Sequence, residues 1–99
     1  MTDRPSIQKT GHGIAFHPDA LKRHYRIEDI LHVIENFDRR YRMPGRDGHS
    51  DFDLYIGRPF SESHEYWEVG VETVKPRGLY IFHAMPARPE FTAGLEADD

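Results

Sequence analysis

Trp67-Glu68-Val69-Gly70-Val71-Glu72-Thr73, followed by Leu79-Tyr80-Ile81-Phe82-His83-Ala84, carries the clearest strand pattern of the chain. In the first run Trp67, Val69, Val71 and Thr73 alternate with Glu68, Gly70 and Glu72, the period of a half-buried strand with one wet face. The second run is apolar at successive positions, as expected of a central strand covered on both sides. Lys75-Pro76-Arg77-Gly78 between them carries turn chemistry and reads as a hairpin connection. Upstream, Phe52, Leu54 and Ile56 alternate with Asp53 and Tyr55 until Gly57-Arg58-Pro59 ends the run, which gives a third strand. Residues 43–51 and Ser61-Glu62-Ser63-His64 read as loops, and Phe37–Tyr41 reads as a further strand.

Helices precede these strands. Ile27, Ile30, Leu31 and Ile34 follow the i, i+3, i+4, i+7 pattern of an amphipathic helix. Glu28 and Asp29 lie in its first turn, where carboxylates favour the helix dipole, and Asn36 reads as the terminator. His17-Pro18-Asp19 reads as the start of an earlier helix over about residues 18–25, with Ala20, Leu21, His24 and Tyr25 on one face. Ile14-Ala15-Phe16 reads as a short strand after the turn Gly11-His12-Gly13. Residues 1–10 and the stretch after Leu95 read as frayed ends around an ordered core of about 14–92. Two consecutive helices followed by strands on short turns predict a single α+β domain. Its sheet is antiparallel with about four strands, and the two N-terminal helices pack on one face.

Composition narrows the function. The chain has 99 residues with 37% hydrophobic and no cysteine, so disulfides, thiolate metal sites and a cysteine nucleophile are excluded. At this length folding hides about 65% of the extended chain's surface, which suits one small domain held together by packing, within itself or against a partner. No apolar run approaches the roughly 20 residues of a membrane helix, and the start MTDRPSIQKT lacks a signal-peptide core, so a cytoplasmic location without membrane contact is expected. The net charge of −4 is unlike a dedicated nucleic-acid binder. It divides unevenly: residues 1–50 carry nine Lys/Arg against seven Asp/Glu, and residues 51–99 carry four against ten. Arg39, Arg40, Arg42 and Arg46 fall within eight residues, either as a solvated loop or as a patch facing phosphates.

Seven histidines are the natural proton-transfer groups of this chain. No HxxxH or HExxH pair occurs, so neither a metal nor another cofactor is expected. His24 falls on the apolar side of the first helix and His83 within the most apolar strand. Each is either a core histidine satisfied by a carbonyl or carboxylate, or a proton donor or acceptor where sheet and helix meet. Arg88 follows just beyond the strand, where a guanidinium could grip a phosphate bidentately.

Three segments carry a resemblance. His17-Pro18-Asp19-Ala20-Leu21-Lys22-Arg23-His24 followed by Ile27-Glu28-Asp29-Ile30-Leu31 resembles the helix, Lys/Arg-His, helix opening of the BrnT-like toxins of bacterial toxin–antitoxin pairs. Leu54-Tyr55-Ile56-Gly57-Arg58-Pro59 resembles that family's aliphatic strand ending in Gly, and Ile81 to Phe91, with its HAM-x-x-R sequence, resembles its closing strand. The likeness runs in order over about residues 14–91. It implies a RelE/ParE-like α+β fold, a metal-independent endoribonuclease acting on RNA, and a small DNA-binding antitoxin partner of the ribbon-helix-helix type. Carried over residue by residue, it implies roles for Arg23, His24, His83 and Arg88. The family's Ser-Ala-Arg run at the end of the last strand reads His83-Ala84-Met85 here, which leaves His83 to substitute as the proton-transfer group.

RNA cleavage by 2′-hydroxyl attack needs a base, an acid and cations on the developing charge. The sequence nominates His24 and His83 for the proton transfers, Arg23 and Arg88 for the phosphate, and Arg39, Arg40 and Arg42 for the flanking RNA backbone. Two other readings stand beside it. One is a non-catalytic module docking on a small DNA-binding protein through Tyr66, Trp67 and Tyr80. The other is a gyrase-type poison that needs no histidine.

Overall fold

The computed structural model describes residues 8–9, 13–45, 48, 50–74 and 78–95, with the backbone alone at 8–9. The turn at Gly11-His12, the hairpin residues Lys75-Pro76-Arg77, Arg46 of the arginine cluster and the stretch after Leu95 lie outside the described residues. Among those described, the order is β1 (Gln8–Lys9), β2 (Ile14–Phe16), α1 (Pro18–Leu21), α2 (Ile27–Glu35), β3 (Arg39–Met43), β4 (Phe52–Gly57), β5 (Trp67–Val74), β6 (Gly78–Pro86) and α3 (Pro89–Thr92). The fold is α+β.

The sheet is larger than expected and mixed. Its order is β1-β2-β6-β5-β4-β3, six strands where about four were anticipated. β3 to β6 form an antiparallel meander, but β2 joins β6 in parallel, with Ile14 opposite Leu79 and Phe16 opposite Ile81. Part of the expected frayed lead-in is strand β1, paired antiparallel with β2. The parallel pairing has no local signature, because the partners of β2 on β6 lie 65 residues away along the chain.

One face is closed as the periodicity dictates. Ala20 of α1 and Ile30 and Val33 of α2 are buried against Phe16, Trp67, Val69, Val71, Ile81 and Ala84. The end of α2 comes close to β4 because Gly57 has no side chain; a Cβ there would lie 3.2 Å from the Cα of Phe37 and 3.3 Å from the carbonyl oxygen of Val33. Between α1 and α2, the Tyr25 ring stacks on Trp67 at 3.7 Å between centroids.

The opposite face is covered in part. Leu54, Ile56 and Tyr66 are buried there beneath Ala87, Phe91 and Leu95 of the C-terminal segment. Arg39 Nη1 donates to the Phe91 carbonyl at 3.2 Å and fastens that segment to the sheet's far strand. The two N-terminal helices do share one face, and α3 with its flanks covers part of the other.

A bulge in the β5–β6 ladder sets the chemistry of this second face. Val71 pairs with Ile81 but Gly70 pairs with His83, so Phe82 is the extra residue on β6. A regular strand would put Ile81 and His83 on the same side. The bulge reverses the parity, so Ile81 enters the helix-side core and His83 shares the other face with Glu68. Gly70 makes the crowding tolerable: a Cβ there would come within 3.0 Å of the Phe82 ring and 3.1 Å of His83 Cβ.

Candidate functional site

Glu68 is completely buried, although its alternating strand placed it on a face expected to be wet. A buried carboxylate needs partners for both oxygens. Oε1 accepts from the Arg88 backbone N–H at 3.0 Å and from Arg88 Nε at 3.0 Å. Oε2 accepts from Arg88 Nη2 at 2.8 Å and is 2.8 Å from His83 Nε2. Burial pushes the Glu68 carboxyl upward, but the hydrogen bonds from His83 and Arg88, with the guanidinium charge, outweigh it and hold the pKa at about 2. Glu68 is therefore an anion at neutral pH. The same hydrogen bonds raise the pKa of Arg88, whose guanidinium also lies 5.0 Å from the centre of the Phe91 ring.

His83 faces both inward and outward. Its side chain is 32% exposed, and the residue lines an open cleft of ≈ 240 Å³ between α1 and the end of β6. The other walls are Asp19, Lys22, Arg23, Phe82, Ala84 and Met85. The cleft exists because β2 pairs only with residues 79–81 of β6 and then turns into α1. His17 caps that helix, its Nδ1 accepting from the Asp19 N–H at 3.0 Å. The volume is below the roughly 300 Å³ of a drug-sized ligand site. Its charged walls are the cations Lys22 and Arg23 and the carboxylate Asp19, with His83 beside them.

The expected site residues separate into groups. Arg23 and His83 line the same cleft. Arg88 meets His83 on Glu68, but the edge of its guanidinium expected to grip phosphate is occupied by the carboxylate. His24 does not join them. Helix α1 ends at Leu21, short of the expected residue 25, and His24 is exposed in a left-handed turn at φ 62° whose N–H bonds to the Leu21 carbonyl. It is therefore not on the apolar face of a helix, and it is not among the cleft walls.

The arginine cluster also divides. On β3, Arg40 and Arg42 point to the helix side of the sheet opposite Tyr55 and Asp53, and Arg42 pairs with Asp53 at 3.3 Å. Arg39 turns to the other side and holds the C-terminal segment, because neighbours on a strand face opposite ways. The aromatics expected as exposed anchors are core residues: Tyr66, Trp67 and Tyr80 are 7%, 5% and 6% exposed.

Glu68 and Lys22 are the members that sequence reading passed over. An ion-paired face and a solvated face have the same alternation, so Glu68 could have been found only by placing His83 and Arg88 across from it, which the bulge conceals. Among the described residues no three His, Cys, Asp or Glu side chains cluster as a metal ion would need. No described helix is long and apolar enough to cross a membrane. No protein-family model, curated protein or solved structure matches the chain.

Proposed function

We propose that this protein is the toxin of a bacterial toxin–antitoxin pair, of the BrnT-like kind its motifs resemble, and that it cleaves RNA without a metal by general acid–base chemistry. One observation carries the reading: His83, backed by an ionised buried carboxylate, lines one open cleft with Lys22 and Arg23. A phosphodiester in that cleft meets Lys22 and Arg23, two cations against the one carboxylate of Asp19, which offset the charge developing on its oxygens. His83 takes the proton of the 2′-hydroxyl as its oxygen bonds to phosphorus. The bond from phosphorus to the 5′-oxygen breaks, and the leaving oxygen takes a proton from water in the open cleft. The products are a 2′,3′-cyclic phosphate and a 5′-hydroxyl, and His83 returns its proton to the hydroxide. Arg40 and Arg42 are the flanking cations of this scheme, on an exposed edge strand. The partner is a small DNA-binding protein of the ribbon-helix-helix type, and the place of action is the cytoplasm.

The test is expression of the chain alone, with purified protein incubated with RNA in excess chelator. Growth arrest and cyclic-phosphate ends are expected, and both should vanish in His83→Ala. Arrest with intact RNA would overturn the ribonuclease in favour of a gyrase-type poison. Neither arrest nor cleavage would leave the docking module, which would have to use Phe37 and Phe60, the large hydrophobics that are exposed among the described residues.

A further inference from the structure

The hydrogen bonds around Glu68 determine more than its own charge. An ionised carboxylate accepts and cannot donate. Glu68 is ionised, so the proton in the 2.8 Å contact with His83 Nε2 belongs to the imidazole. A neutral His83 must then carry its hydrogen on Nε2 and hold its lone pair on Nδ1. Nδ1 has no hydrogen-bond partner among the described residues, and none of their buried side-chain nitrogens or oxygens lacks one. Nδ1 therefore reaches solvent, on a residue that lines the cleft. Arg88 sets the carboxylate in turn. Three of its N–H groups bind the two oxygens, two of them on Oε1, which leaves Oε2 turned to the imidazole.

We infer that Glu68 is the positioning residue that fixes His83 as the Nε2–H tautomer, so that Nδ1 is the proton acceptor of the site, and that Arg88 locks Glu68 and does not bind phosphate. The cleavage role rests on the ribonuclease reading; the tautomer does not. In the chemical step Nδ1 takes the 2′-hydroxyl proton while Nε2 keeps its own, and the Glu68 charge faces the imidazolium that forms. In Glu68→Gln the two donors on Oε1 select the amide oxygen for that position, which turns the amide nitrogen towards His83 and costs Arg88 Nη2 its acceptor. The imidazole must then accept at Nε2 and move its hydrogen to Nδ1, where it can no longer serve as base.

Two measurements decide the inference. The first is ¹⁵N–¹H correlation spectroscopy of the histidine rings, at a pH where the imidazole is neutral. Wild-type protein is expected to show His83 as Nε2–H and Glu68→Gln as Nδ1–H; an Nδ1–H tautomer in the wild type overturns the inference, whether or not the variant folds. The second compares cleavage with the affinity for a 2′-deoxy oligonucleotide that cannot be cut. Glu68→Gln and Arg88→Lys are expected to lower kcat about 100-fold or more, the usual size of a general-base effect, while affinity changes less than about two-fold. A full kcat in folded Glu68→Gln, or a loss confined to affinity in Arg88→Lys, overturns the assignment. If wild-type protein cuts no RNA yet His83 is Nε2–H, the ribonuclease reading falls and the positioning by Glu68 stands.

Discussion

On the helix side of β5, Trp67, Val69 and Val71 meet apolar side chains from α1, α2 and β6; on the other side of the same strand, Glu68 meets His83 and Arg88. Trp67, Val69, Val71 and Glu68 are all buried, by different means. The first side uses apolar area and tolerates any close-packed neighbours of suitable size. The second has one acceptable partner set, because a buried carboxylate is costly unless every lone pair is answered. The apolar side of β5 therefore stabilises through buried area, and the charged side fixes where two particular side chains point.

The largest loss comes from cutting into the apolar side. Ile30 has no exposed surface, and Ile30→Ala removes its contacts with the sheet and leaves a cavity. A loss of about 3–4 kcal/mol is expected from denaturant unfolding. A loss below about 1 kcal/mol would mean that α2 is not the element holding that face.

Acid probes the charged side. The Glu68 pKa falls from its ordinary 4.5 to about 2 in the folded chain, so the unfolded state binds the proton more readily. The stabilisation is present above the unfolded value and is lost as pH falls from about 4.5 through 2, in total about 3 kcal/mol. Unfolding midpoints measured across that window should fall more steeply in the wild type than in Glu68→Gln. Equal slopes would show that the carboxylate gains nothing from its partners.

The smallest effect belongs to a pair outside either core. Arg42 meets Asp53 at 3.3 Å on the edge of the sheet, with its side chain 62% exposed. Arg42→Ala should change stability by less than about 1 kcal/mol, and less again in high salt. A larger loss would place Arg42 in a network that the Asp53 contact alone does not describe.

How far the sequence could be read follows from how local each signal is. The spacing of Ile27, Ile30, Leu31 and Ile34 locates α2, and period-two alternation locates β4 and β5, because these patterns repeat within one element. The single extra residue at Phe82 cannot be seen that way, yet it decides which face His83 joins. The parallel β2–β6 pair is hidden because nothing near Ile14 specifies Leu79. Helix α1 is overestimated because the apolar spacing continues to Tyr25 while the backbone turns left-handed at His24. Of the candidate site, Arg23, His83 and Arg88 were legible as residue types, but the roles of His83 and Arg88 depend on Glu68, whose alternation looks like that of any solvated glutamate.

The pairing of Ile14–Phe16 with Leu79–Ile81 also bears on how the molecule comes into being. One wall of the cleft is made within the first quarter of the chain and the other within the last quarter. During synthesis the early wall has nothing to lean on until β6 has left the ribosome, and closing so long a loop is an intrinsically late event in folding. An incomplete chain therefore has no cleft, and whatever the cleft does begins only when translation of this region is finished.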